Sequence, residues 1–352
     1  MRCKRCINDE SVRNLSFDKN RICNYCREYD KIKAEVTDYK KLEELFQSRI
    51  KKVKGKHEYD AVVGISGGKD SVFVLDQLVK KYHLKVKAFT MNNGFLTDAA
   101  KKNINHLVSD YGVEHEYINY EQELLQRVYH YSMKHFLVPC IACSYVGYAS
   151  MIGYASKADA GMCVHGRSPE QMFRYYDKDM FSVFVKLGLK DIDQIDLDEE
   201  YTKLFQELEA KADKGLFEEI RKAALGDLDK GNFREFVPYF LYHDYNEAEI
   251  VDYLINNTKW RPPKTYNHYD CKVQQAAKYI YQCAEGRPHI LPELSVLVRM
   301  GKLTREEALK KLDEAVIKEK PKEKLKELCD YAGVNQTAVL TKAKIYNKII
   351  NR

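Results

Sequence analysis

Ser66-Gly67-Gly68-Lys69-Asp70-Ser71 is the densest chemical constellation in this chain. It lies between an apolar, strand-like run from Tyr59 to Ile65 and an apolar helix start, Val72-Phe73-Val74-Leu75. Glycines let backbone N–H groups converge on an anion, and a helix N-terminus adds partial positive charge. Lys69 supplies a full charge, and the Ser66 and Ser71 hydroxyls can donate to phosphate oxygens. The chemistry expected here is phosphate binding. The run is not a Gly-x-x-x-x-Gly-Lys-Ser/Thr loop, because Asp70 follows the lysine and the glycine spacing fails.

Cysteines form two further groups. Cys3-x-x-Cys6 and Cys23-x-x-Cys26 are separated by sixteen residues. That spacing fits a zinc ribbon, in which each knuckle aims two thiolates at one ion and two knuckles complete a tetrahedron. So short a segment cannot bury enough apolar surface to fold alone, so the metal would supply its folding energy. The expectation is one structural zinc with no open coordination position. Pro139-Cys140-Ile141-Ala142-Cys143 falls at an expected helix start, where thiol pKa values drop. This pair is read as reactive or metal-bound, with zinc completed by Cys271 or a histidine, or a buried unliganded pair, as open alternatives. Cys163, Cys283 and Cys329 are read as core residues.

The elements that must position these groups alternate strand and helix from Tyr59 onward. Strands are expected at 59–65, 84–91, 115–120 and 160–165, with helices at 98–111, through about 135, and at 144–156. This pattern predicts a doubly wound parallel sheet with ligands at the carboxyl ends of its strands. Two loops at such ends stand out, Asn92-Asn93-Gly94 and His165-Gly166-Arg167-Ser168. The expected organisation is a ribbon over 1–30, a helical linker over 31–56 and an α/β domain over 57–176. A helical insertion over 177–235 and a mostly helical region over 236–352 complete the chain. Helices are expected at 246–254, 271–284, 292–301, 304–316, 321–332 and 335–350, with a capping box at Thr304–Glu307.

Composition sets broad limits. The chain has 352 residues, a net charge of +6 and ten cysteines. The charge is modest for this length and does not argue for nucleic acid. No segment is long and apolar enough to span a membrane, and no apolar signal region follows Met1. A cytoplasmic location is expected, where cysteines serve metal or redox chemistry more often than disulfides.

The Ser66–Ser71 run resembles the PP-loop of the ATP pyrophosphatase superfamily, whose consensus is Ser-Gly-Gly-x-Asp-Ser. The resemblance implies ATP and Mg²⁺ as ligands, with Ser66, Gly67, Gly68, Lys69, Asp70, Ser71, Asn92 and Gly166 at the nucleotide. It also implies that AMP is transferred to a substrate oxygen. By analogy Asp70 serves Mg²⁺ or phosphate geometry, although it could equally cap the loop helix. Asn92 would lie near adenine and ribose, or form a plain turn. Arg167 replaces the commoner strand-end signatures and could hold the α-phosphate or pyrophosphate through two hydrogen bonds.

The wider match includes Met1 to Cys6, Ser16-Phe17-Asp18, Cys23 to Cys26, Trp260-Arg261-Pro262-Pro263-Lys264, Asp270-Cys271 and Val298 to Ala308. These segments are similar to the N-acetyl sugar amidotransferase family. That family implies nitrogen transfer from a glutaminase partner to a small-molecule acceptor such as an N-acetyl sugar. Its usual Gly-Arg-Ala-Thr-Asp-like run is replaced here by Gly286-Arg287-Pro288-His289-Ile290. The cysteine pair is also similar to that of tRNA 2-thiolation enzymes, where a pair and a later cysteine hold a [4Fe-4S] cluster. That resemblance implies Cys140, Cys143 and Cys271 as catalytic ligands and a sulfur-donor protein as partner. It leaves tRNA open as acceptor. A non-catalytic nucleotide-binding module and a homodimer also stay open.

Overall fold

The computed structural model describes residues 1–173, 180–190, 196, 199, 200, 203, 214–226, 234–262 and 270–350. Parts of the expected 177–235 insertion, together with Pro263, Lys264 and Tyr269, lie outside the described residues. The chain enters through helices α1 (Asn24–Thr37) and α2 (Tyr39–Val53). The alternating unit comes next: β1 (Tyr59–Gly64), α3 (Lys69–Lys80), β2 (Val86–Met91), α4 (Asp98–Tyr111) and β3 (Glu114–Ile118). It continues with α5 (Gln122–His135), α6 (Pro139–Lys157) and β4 (Ala160–His165). Beyond β4 come α7 (Pro169–Met172), α8 (Met180–Leu189), a helix at Lys214–Leu225 and β5 (Glu235–Pro238).

All pairings in the sheet are parallel, in the order β3-β2-β1-β4-β5. The order reverses between β1 and β4, and the loops after these two strands flank the crevice where such sheets bind ligands. β1 reads as a continuous apolar run because both of its faces are covered. Ala61, Val63 and Ile65 enter the core shared with α2 and α3, whereas Tyr59 and Val62 enter the core shared with α6. β4 divides in the same way, with Met162 and Val164 on one side and Ala160 and Cys163 on the other. The core reading of Cys163 therefore matches its place in the sheet. Cys329 is also buried, and Cys283 packs partly buried against the same late-helix core.

The fifth strand departs from the sequence pattern, which predicts no strand over 177–235 and only renewed apolar character over 236–240. β5 is short, opens with a charged residue and closes with proline, so it lacks a strand signature. The buried Arg49 of α2 pairs with the buried Glu235, which removes the objection to a carboxylate in the sheet. Pro238 ends the strand at the sheet edge, where the missing N–H costs little.

The late part of the chain is helical: Glu247–Asn257, Gln274–Glu285, Leu291–Arg299, Arg305–Glu314, Lys322–Tyr331 and Gln336–Ile350. Thr304 and Glu307 form the expected reciprocal capping box. Among the described residues, no helix is long and apolar enough to cross a membrane.

Candidate nucleotide site and cysteine sites

The loop between β1 and α3 is shaped by one glycine. Gly67 has φ +78°, and a Cβ there would meet the Ala100 carbonyl oxygen of α4 at 2.5 Å. Its own carbonyl accepts the Trp260 indole N–H at 3.0 Å and the Asn103 side-chain amide at 3.4 Å. Asn103 also donates to the Arg261 carbonyl at 3.0 Å and accepts from the Arg261 N–H at 3.2 Å. The late Trp260-Arg261 segment is thereby fastened to the back of the loop. Gly68 is the N-cap of α3 and makes no side-chain cap, so the first α3 N–H groups point into the crevice without intrahelical acceptors.

The serine side chains brace the loop from within. Ser71 Oγ accepts the Ser66 N–H at 3.2 Å and donates to the Gly68 carbonyl at 3.1 Å, bracing the loop. The Ser66 hydroxyl faces the Asp270 carboxylate and favours its charged form.

Lys69 Nζ lies 3.1 Å from Asp70 and 3.2 Å from Glu247. Burial opposes its charge, but Asp70 and then Glu247 outweigh it and hold the ammonium above the ordinary lysine range. Asp70 does not cap α3. Its carboxylate accepts from Lys69 and from the Tyr245 hydroxyl, the latter at 3.0 Å. Burial pushes the Asp70 carboxyl up, against the pull of Lys69 and Tyr245.

The loop after β4 closes on the same place. A Cβ at Gly166 would meet the Asp70 carbonyl oxygen at 3.0 Å, so the two loops touch at this glycine. The Arg167 N–H donates to His165 Nδ1 at 3.2 Å, and its guanidinium lies over the Tyr148 ring at 5.7 Å. Burial, with Arg167 adding, pushes His165 down to about 3, so this imidazole is neutral at ordinary pH.

Several further residues at this crevice have no role expected from the sequence. Glu170 is pushed up to about 7 by burial, with Glu293 and Asp70 adding and Ser168 opposing. Asp270 meets Ser66, and burial likewise raises its carboxyl. Burial lowers Lys278, against the charges of Glu293, Cys140 and Asp270. Tyr245 and Glu247 complete the set. Glu170 and Asp270 adjoin motif residues in sequence, whereas Lys278, Glu293 and Tyr245 look like ordinary helix or loop residues.

Asn92 forms the turn. Its Oδ1 accepts the Gly94 N–H at 3.1 Å and its Nδ2 donates to Asn119 at 2.9 Å. The next residues pair with the late chain, through an antiparallel bridge between Leu96 and Cys271. The Thr97 N–H donates to the Asp270 carbonyl and the Lys272 N–H to the Phe95 carbonyl, at 3.2 and 2.8 Å. Cys271 is thus carried to the carboxyl edge of β2, beside the cysteine pair. Asn93 Nδ2 donates to Cys143 Sγ at 3.8 Å, and the Tyr129 hydroxyl donates to the Asn93 carbonyl at 3.2 Å.

The charges of Cys140, Cys143 and Cys271 all act on Tyr129. Among the described residues, however, these three sulfurs do not come within 4.8 Å of one another as a set. A triad preassembled for a single ion is therefore not present. The expected lowering of thiol pKa by the helix start is also overturned at Cys143, whose burial pushes it up. Burial likewise pushes Cys271 up to about 12, with Cys143, Cys140 and Asp270 adding.

The ribbon cysteines contrast with them. Cys3, Cys6, Cys23 and Cys26 are wholly buried, and their sulfurs all lie within 4.8 Å of one another. Cys3 and Cys26 are 4.0 Å apart and Cys6 and Cys23 are 3.7 Å apart. A tetrahedron with metal–sulfur bonds of about 2.3 Å needs sulfurs about 3.8 Å apart. The Asn8 N–H meets Cys6 Sγ at 3.5 Å and the Cys23 N–H meets Cys3 Sγ at 3.3 Å, and these donors favour thiolates. The arrangement fits a four-coordinate metal ion.

No protein-family model matches the chain. An uncharacterised protein of Methanocaldococcus jannaschii is 26% identical over 145 residues, 41% of this chain and 50% of that protein. The chain thus spans about half the length of that curated relative. Two solved structures are similar at low scores. A U34-tRNA thiolase from Methanococcus maripaludis with its [4Fe-4S] cluster is 13% identical over 90% of both chains, with a TM-score of 0.36. An NH3-dependent NAD synthetase from Campylobacter jejuni in complex with nitrate is 16% identical, with a TM-score of 0.32. That match covers 54% of this chain and 94% of the synthetase. The fold assignment rests on the sheet order itself.

This geometry has two testable outcomes. Gly67→Ala should cost about 1–3 kcal/mol, from the left-handed backbone and the Ala100 contact together, and should abolish nucleotide binding. Gly112→Ala, at φ +60° with no atom within 4 Å of the added Cβ, bears only the backbone cost and should keep binding. Denaturant unfolding and nucleotide titration of both variants check this. The second outcome concerns Glu170, whose folded value near 7 exceeds its ordinary 4.5. Between these pH values the folded state keeps a proton that the unfolded chain has released, so stability falls as pH rises through the window. The loss is on the order of 3 kcal/mol. Glu170→Gln should flatten stability between pH 4.5 and 8 in the nucleotide-free protein, and an unchanged slope would refute the assignment.

Proposed function

We propose that this protein adenylates a carbonyl or amide oxygen of a small-molecule acceptor with ATP and then passes the activated carbon to nitrogen. One observation carries the reading. The Gly67-Gly68 loop, the charged Lys69 and the Gly166-Arg167 loop meet at the β1/β4 crossover, where they would offer donors to a phosphate chain. The acceptor oxygen attacks the α-phosphorus, the bond to the β-phosphate oxygen breaks, and pyrophosphate leaves. The nitrogen nucleophile then attacks the acceptor carbon, and the carbon–oxygen bond breaks to release AMP.

The α3 N-terminus and Lys69 stabilise the departing pyrophosphate electrostatically. Arg167, one loop away, offers a planar fork to the α-phosphate or the leaving group. Asp70 and Glu170 supply the carboxylates that fit Mg²⁺, and the ion would neutralise charge on the phosphates. Trp260 and Asp270 hold the loop in place from behind. The resemblance to N-acetyl sugar amidotransferases supports an N-acetyl sugar as acceptor and a glutaminase as nitrogen source. The four ribbon cysteines suit structural zinc.

A second reading, sulfur transfer, is favoured by one specific observation. Cys140, Cys143 and Cys271 converge beside the crevice but stand too widely for one ion, and a [4Fe-4S] cluster spaces its ligands more widely than a mononuclear metal. Those three residues would hold it, leaving one iron for a sulfur ligand or substrate.

Two measurements test these readings. Phosphorus NMR of the reaction with acceptor should show AMP and pyrophosphate. Stoichiometric ADP and orthophosphate would overturn adenylation. Lys69→Ala should lower turnover at least a hundredfold while the far-ultraviolet spectrum stays unchanged. Separately, metal analysis and a visible spectrum of anaerobically purified protein distinguish the branches. Zinc alone favours nitrogen transfer, and iron with sulfide favours sulfur transfer. Cys23→Ser should lower zinc in either case.

A further inference from the structure

The helix Leu291–Arg299 spans two sites. Near its start is Glu293, whose charge acts on Glu170 and Lys278 at the crevice. At its end is Arg299, 4% exposed. Arg299 Nε and Nη1 are buried and make no hydrogen bond among the described residues. Its Nη2 reaches only the Phe173 carbonyl, at 3.5 Å. Among the described residues no acidic side chain forms an ion pair with it. A buried, unpaired guanidinium is strongly unfavourable unless a negative charge lies nearby.

That charge is available in the ribbon. The Arg299 charge acts on Cys6 and on Tyr29. The next helix contributes a second arginine: Arg305 Nη2 donates to the Cys3 carbonyl at 3.0 Å, while its Nε is buried without a partner. Arg5 also faces the cysteines but is neutralised by Asp30 at 2.6 Å. Four thiolates around a divalent ion carry a net charge of two minus, formed from four thiols with release of four protons. Arg299 and Arg305 supply two plus. Leu291, Leu294 and Ala308 pack in the same cluster as the four cysteines, so the helices and the ribbon share one small core.

We propose that Arg299 and Arg305 are the counter-charges of a divalent metal tetrathiolate at Cys3, Cys6, Cys23 and Cys26, so that metal loading and docking of the 291–314 helices are one coupled equilibrium. The proposal rests on the metal reading of the ribbon and is independent of which atom the crevice transfers. An apo ribbon would leave two arginines facing uncharged thiols. A loaded ribbon neutralises them and holds the helix that carries Glu293 to the crevice.

The test uses full-length protein stripped of metal and titrated with Co²⁺, whose visible bands report tetrathiolate coordination. Arg299→Met should weaken Co²⁺ binding about tenfold or more, in the range typical of groups that support metal ligands. Arg299→Lys should restore most of the loss, because the charge returns without the fork. Arg305→Met, at a partly exposed position, should weaken binding in the same direction and keeps the test valid if Arg299→Met fails to fold. In the wild type, metal removal should speed amide exchange over 291–314, and in Arg299→Met this response should shrink. Wild-type affinity in both methionine variants would overturn the counter-charge role. Unchanged exchange on metal removal would overturn the coupling. A wild-type chain that binds no Co²⁺ through these cysteines would instead overturn the metal reading itself.

Discussion

The close approach of Gly67 to Ala100 is the constraint on which the crevice depends. The contact is possible only for a residue without a Cβ, and it brings α3 and α4 together directly beneath the loop. With the Gly67 backbone turned this way, its carbonyl faces backward and is held by Trp260 and Asn103. The N–H groups that open α3 therefore face forward into the crevice. An anion site made of backbone dipoles works only when those dipoles are fixed before the anion arrives. Here the fixing groups come from α4 and from a segment nearly two hundred residues later in the chain.

The loop, the parallel sheet and the ribbon spacing were legible in the sequence because each arises from local rules. A strand running into glycines and then a helix needs only neighbouring residues, and so does a Cys-x-x-Cys knuckle. β5 was not legible, because its burial depends on Arg49, which lies far away in sequence. The roles of Ser66 and Ser71 were hidden for a related reason. Residue type shows that a hydroxyl can donate, but not that Asp270 or a carbonyl of the same turn already accepts. Lys278, Glu293 and Tyr245 left no sequence signal at all, since only the packing of late helices brings them to β1 and β4.

The two cysteine groups show how burial and geometry together decide what a thiol can do. In the ribbon, four sulfurs are buried at nearly tetrahedral spacing, with backbone N–H groups directed at two of them. The four thiols there hydrogen-bond one another, which lowers Cys3 and Cys6 while Cys23 and Cys26 are raised. At the crevice, burial of Cys143 and Cys271 outweighs the hydrogen bonds from Tyr129 and Asn93 to the first and from the Val273 backbone to the second, and both are pushed up. A helix start lowers a thiol pKa only while the thiol remains solvated enough for the dipole to outweigh desolvation. The position of Cys143 inside α6, next to Tyr129, removes that condition.

The late helices are accordingly part of the crevice. An open parallel sheet leaves the carboxyl ends of its strands exposed, so a phosphate chain bound there would be accessible to water. In the proposed reaction an adenylated intermediate would have to be shielded for transfer to compete with water. Residues beyond β5 reach the crevice: Tyr245 and Glu247 at Asp70 and Lys69, Asp270 at Ser66, and the charges of Glu293 and Lys278, with Trp260 behind the glycine. Together with Glu170 and Asp70 below, these groups include several whose ordinary charges are disfavoured by burial. Poorly solvated charges at a crevice favour a ligand of compensating charge.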